Sequence, residues 1–91
     1  MMIGFMIRLW CDRYNMAITE FAELSGYDRK VVYRWIACET IPNKRSCRVI
    51  VDVFAHYAHW TNGATEQAFV KLLDLRDIEE DWRRRKRKKN Q

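Results

Sequence analysis

The side chains best equipped for chemistry in this chain are cationic and hydrogen-bond donating. Arg29, Lys30, Tyr33 and Arg34 lie within "AITEFAELSGYDRKVVYRWIA", from Ala17 to Ala37. They form the outward face that is left once Val32, Trp35 and Ile36 take the buried side of a helix. Guanidinium forks present paired donors suited to paired acceptors, whereas a lysine is a point charge. On an ordinary helical protein such a run is a solvated face, so its meaning depends on what holds it. Catalytic chemistry has weaker footing. The chain offers no paired-carboxylate pocket, no nucleophile beside a base and no glycine-rich phosphate loop, and an enzyme is not expected. His56 and His59 stand three apart and could join a cysteine on zinc, but clustered partners are missing, so neither metal nor cofactor is expected.

The elements that must position that face are helical. Glycine and proline number three and one, and apolar residues recur at threes and fours, which predicts an all-α fold of five helices. With 91 residues and 48% apolar content, one small domain can close a core. Ile3, Met6, Ile7, Trp10 and Tyr14 line one face of a first helix that Asn15 stops. A second helix runs from about Ile18 to Leu24 and ends at Ser25-Gly26, where glycine permits a sharp turn. Asp28 caps a third helix. Proline 42, in "ETIPNKRS", separates it from a fourth at about Lys44 to His59. "TNG" at 61–63 makes the next break. The fifth helix runs from Thr65 to about Trp82, with Ala68, Phe69, Leu72, Leu75, Ile78 and Trp82 as its apolar stripe, and Glu66, Asp74, Asp77, Glu80 and Asp81 opposite.

Charge is distributed unevenly. Residues 1–82 carry ten basic and twelve acidic side chains, and "RRRKRKK" at 83–89 turns the whole to +5. The basicity therefore belongs to the end of the chain. It is read as a disordered tail at 83–91 that either solubilises the protein or lies along phosphates. Cys11, Cys38 and Cys47 form no CxxC pair, which fits a reducing compartment, and no apolar run approaches the ~20 residues of a membrane span. A cytoplasmic protein without a membrane partner is expected.

Counted from Gly26, Ala22 stands four before, Val32 six after and Trp35 nine after, with Phe21 ahead of the alanine. A small residue at 22 lets two helices approach, glycine turns the chain, and Val32 and Trp35 lock the second helix across the first. Over about residues 3–59 this pattern, with Ile41-Pro42 downstream, resembles the lambda-repressor and Cro-like helix-turn-helix family. Three positions depart from it: Ala17 and Ile18 replace the usual hydroxyl cap and glutamine, and Cys38 stands where a glycine often ends the third helix.

The resemblance implies a DNA-binding domain at 1–60, a C-terminal helix at 61–82 that packs on it or dimerises, and the tail at 83–91. It implies base reading in the major groove of double-stranded DNA by Arg29, Lys30, Tyr33 and Arg34. Phosphate contacts are expected from Thr19, Lys44 and Arg45, and from Arg83, Arg84 and Arg85 of the tail. Leu72, Leu75, Ile78 and Trp82 are the expected homodimer surface, matching a palindromic operator. The function so implied is a small phage- or plasmid-like transcriptional regulator, a repressor by preference. Two alternatives stand beside it: a protein-interaction module of the same fold, acting as an antirepressor or inhibitor through the acidic patch from Asp74 to Asp81, and RNA binding through the tail.

Overall fold

The computed structural model describes the backbone of residues 2–89 and side chains through Lys86. Five α-helices follow one another: α1 (Ile3–Arg13), α2 (Ile18–Ser25), α3 (Arg29–Ile36), α4 (Lys44–Ala58) and α5 (Asn62–Lys89). Among the described residues there is no strand, and no helix is long and apolar enough to cross a membrane.

Local chemistry sets the boundaries. Asn15 takes a left-handed backbone (φ 54°) and ends α1. Gly26, at φ 80°, ends α2, its N–H bonded to the Ala22 carbonyl at 3.1 Å. The Asp28 carboxylate accepts from the Lys30 N–H at 2.8 Å and opens α3. Asn43 does the same for α4, accepting from the Ser46 N–H at 2.8 Å. Cys38 and His59 both turn left-handed just after α3 and α4, at φ 62° and 56°.

Both ends of α5 differ from the sequence expectation. Thr61 acts as its cap: its hydroxyl accepts from the Ala64 N–H at 3.1 Å, so Asn62 and Gly63 join the first turn instead of forming a loop. At the other end α5 does not stop at Trp82. It runs on through the basic stretch, because acids and arginines fall four apart with the acid first, the favourable orientation on a helix. Glu79 pairs with Arg83 at 3.2 Å, Glu80 with Arg84 at 3.3 Å and Asp81 with Arg85 at 3.1 Å. Disorder from residue 83 is thus corrected to helix through Lys89, while Asn90 and Gln91 lie outside the described residues. The 28-residue helix spans about 42 Å, close to the 46 Å long axis of the whole protein.

All five helices share one core. Phe21 of α2 stacks on Phe54 of α4 with centroids 5.1 Å apart, and Ile3, Ile7, Val32, Ile50 and Leu72 close around them. Burial of this apolar surface is the main stabilising term. Trp60 sits edge-on to Trp10 and donates from Nε1 to the Tyr14 hydroxyl at 2.9 Å, tying the end of α4 to α1. On the surface Arg48 bridges Asp52 (3.3 Å) and Glu66 (2.7 Å), and its hydrogen bond to Glu66 pushes its pKa further up.

Gly4 governs the approach of α1 to α3. A Cβ there would run into the Trp35 carbonyl and sit 3.0 Å from the Ile36 Cα. Only a glycine allows this crossing.

Candidate nucleic-acid interface

α3 has two turns and two faces. Val32 and Trp35 are buried, and Trp35 also meets the Tyr27 ring edge-on at 5.0 Å. Arg29, Lys30, Tyr33, Arg34 and Ala37 are exposed. Among the described residues, none of the Arg29, Lys30, Tyr33 or Arg34 side chains takes part in a hydrogen bond or ion pair. The face is therefore a compact set of three uncompensated positive charges around one phenol, projecting from a helix whose rear side is locked.

The start of α4 lies near the start of α3. Tyr27 OH and Ser46 Oγ are 2.8 Å apart, joining the residues just ahead of α3 to the first turn of α4. Lys44 and Arg45 are exposed in that turn, beside the positive end of the helix dipole. Thr19, in the first turn of α2, is half-buried, and the Ala17 cap before it provides no side-chain oxygen. A cationic rim with amide donors can hold anions without bonding to them covalently.

The rest of the expected phosphate set is altered. Arg83 is not available as a surface cation: its side chain is only 24% exposed, pairs with Glu79, and donates from Nη1 to the Glu39 carbonyl at 3.0 Å and from Nη2 to the Cys38 carbonyl. Arg84 and Arg85 are exposed, but each is paired with an acid of its own helix. The expected dimer set also divides. Leu72 is buried in its own chain's core and is withdrawn from any partner surface. Leu75 is half-buried and lines a groove of about 350 Å³ between α1 and α5, together with Met6 and Trp10. Ile78 and Trp82 are exposed, at 65% and 50%, and with Met2 line a smaller hollow of about 240 Å³.

Glu79 and Arg76 escaped the sequence reading, which places Arg83 only among the phosphate contacts of the tail. The inward line of α5 runs through Thr65, Leu72, Arg76, Glu79 and Arg83, so its second half is charged. Following the apolar residues alone leads instead to Ile78 and Trp82, which have rotated to the outside. The acid-to-arginine spacing of four in "EEDWRRR" was the available signal.

The thiols are chemically quiet. Burial pushes Cys11 and Cys47 up to about 11, with Asp12 adding to the effect at Cys11, and burial also raises Cys38. A protonated thiol is a poor nucleophile and a poor metal ligand. His56 and His59 are exposed, and no group of three or more metal-ligating side chains occurs among the described residues.

Comparison of the chain with protein-family models, with curated proteins and with solved structures finds no match.

Proposed function

We propose that this protein is a small transcriptional regulator that binds double-stranded DNA sequence-specifically. In this reading α2, the Gly26 turn and α3 act as a helix-turn-helix, with α3 lying in the major groove. One observation carries it: the Arg29, Lys30, Tyr33 and Arg34 face is exposed and uncompensated on a helix whose opposite side is fixed in the core. Arg29 and Arg34 each read a guanine through O6 and N7, a contact worth about 1–3 kcal/mol of discrimination. Lys30 and Tyr33 contact base edges or phosphates. Lys44 and Arg45 hold phosphate at the start of α4, with Thr19 contributing from α2.

Two copies pair through Leu75, Ile78 and Trp82, so that two α3 helices meet a palindromic site. Repression follows by occupying that site. A chain of this size, with a single core, has its reading face and its pairing face on one body.

The acidic run supports a protein-docking reading less well, since Asp77, Glu80 and Asp81 are paired with Arg76, Arg84 and Arg85. The same pairs weaken RNA binding by a free basic tail.

Anisotropy titrations over a duplex panel test the assigned roles. Arg34→Ala should lower affinity only for duplexes carrying its preferred base pair. Lys44→Ala should weaken all duplexes alike and reduce the salt slope by about one. Failure of the unaltered protein to bind any duplex would refute the function.

A further inference from the structure

We propose that Arg83, held by Glu79, is a positioning residue that sets the orientation of the last turn of α3 and thereby the selectivity of the reading face. This rests on the DNA-binding reading given above. The observations behind it are independent of the reading face itself.

Glu79 is 4% exposed, an unusual place for a carboxylate unless it is paired. Its Oε1 accepts from the Ile3 N–H at 3.0 Å, at the positive end of α1. Its Oε2 lies 3.2 Å from Nη2 of Arg83. The Arg83 guanidinium then donates to the Glu39 and Cys38 carbonyls, immediately after α3. These two carbonyls belong to the residues that lead the chain out of α3, so the fork fixes the direction in which the chain leaves the helix.

The Glu79–Arg83 pair thus joins three elements: the start of α1 through the carboxylate, the exit from α3 through the guanidinium, and the second half of α5 that carries both. Two features on either side reinforce the junction. Gly4 lets α1 abut the Trp35 backbone, and Nε of Arg76 donates to the Pro42 carbonyl at 3.0 Å, anchoring the far end of the α3–α4 connection.

The need for such a brace follows from α3 itself. Eight residues are too few to hold a helix alone. Its front end has the Asp28 cap, and its rear end closes through a left-handed turn at Cys38, a non-glycine residue at φ 62°, with the Cys38 N–H bonded to the Trp35 carbonyl at 3.1 Å and the Glu39 N–H to the Arg34 carbonyl at 2.9 Å. Arg83 holds that left-handed turn from outside, through the Cys38 and Glu39 carbonyls. A lysine has one nitrogen, with no planar fork, and cannot reproduce the two carbonyl contacts together with the carboxylate pair. By contrast, a phosphate contact would tolerate lysine. That difference separates positioning from the simpler role of Arg83 in a basic arm.

The experiment uses the full chain with Arg83→Met, Arg83→Lys and Glu79→Gln, each shown folded by circular dichroism at the working temperature. Two readouts are taken: the ratio of affinities for a selected duplex and its scrambled counterpart, and amide hydrogen exchange at Ala37, Cys38 and Glu39 relative to Phe54. Both Arg83 variants should lower the affinity ratio about tenfold, mainly through the selected duplex. Exchange at residues 37–39 should speed up about tenfold or more while Phe54 stays protected. Glu79→Gln should move both readouts in the same direction.

Equal weakening on both duplexes, restored by Arg83→Lys, would overturn the proposal in favour of a phosphate contact. An unchanged ratio with uniformly faster exchange would reduce Arg83 to general stability. If the unaltered protein selects no duplex, the DNA reading fails by itself, and exchange alone decides whether Arg83 braces the end of α3: local acceleration supports it and uniform acceleration overturns it.

Discussion

Gly4→Ala is the smallest substitution with a large expected effect. The added methyl would overlap the Trp35 carbonyl, and the obstacle is backbone, so no rotamer change relieves it. α1 must therefore move off α3, which opens contacts of Ile3 and Ile7, both fully buried. Overpacking costs about 1–3 kcal/mol where side chains can adjust, so a backbone clash belongs at the upper end, about 3 kcal/mol. At about 4–8 °C per kcal/mol for a domain of this size, Tm should fall by at least about 12 °C. Gly63 is the control, since a Cβ there meets nothing within 4 Å and the residue sits in the first turn of α5. Gly63→Ala should leave Tm unchanged or raise it slightly. Thermal melts by circular dichroism measure both. Equal Tm for the two variants would refute the close crossing of α1 and α3.

Cys38 stands at φ 62°, so Cys38→Gly should relieve about 0.5–1 kcal/mol of backbone strain net of glycine entropy, read as a higher urea midpoint. Burial keeps Cys11 and Cys47 neutral, raising each from 9.0 to about 11. The stability they contribute is complete below pH 9 and is lost as pH rises through 11, by at most about 3 kcal/mol per thiol. Urea midpoints should therefore fall between pH 9 and 11, and Cys11→Ala with Cys47→Ala should flatten that slope. Ile78→Glu with Trp82→Glu should convert a dimer to a monomer in sedimentation while preserving the helical spectrum, whereas Leu72→Glu should unfold the chain, because Leu72 faces the core.

The first four helices were legible because their signals are local. Ala22, Gly26, Asp28, Val32 and Trp35 each act within a few residues, and Asn15 and Pro42 mark ends by backbone chemistry. α5 was misjudged at both ends for one reason. Thr61 and the Glu79–Arg83, Glu80–Arg84 and Asp81–Arg85 pairs are polar, and in sequence alone such polarity reads as loop or tail. A helix whose inward line turns from Leu72 to Arg76, Glu79 and Arg83 shows no apolar periodicity there. What those side chains bind, the carbonyls of Cys38, Glu39 and Pro42, lies more than thirty residues away in sequence. Gly4 was silent for the same reason, since its neighbour is the backbone of α3. The outward placement of Arg29, Lys30, Tyr33 and Arg34 could be located from sequence, but their freedom from ion pairs among the described residues required the fold.

The most direct test of the central claim is selection of duplexes from a random pool by the full-length protein at physiological salt, alongside the Arg29→Ala, Arg34→Ala double variant. The account predicts enrichment of a two-fold symmetric site by the unaltered protein and none by the variant, with an unchanged melting temperature. No enrichment by either protein, or the same site enriched by both, would contradict the assignment of α3 as the reading helix.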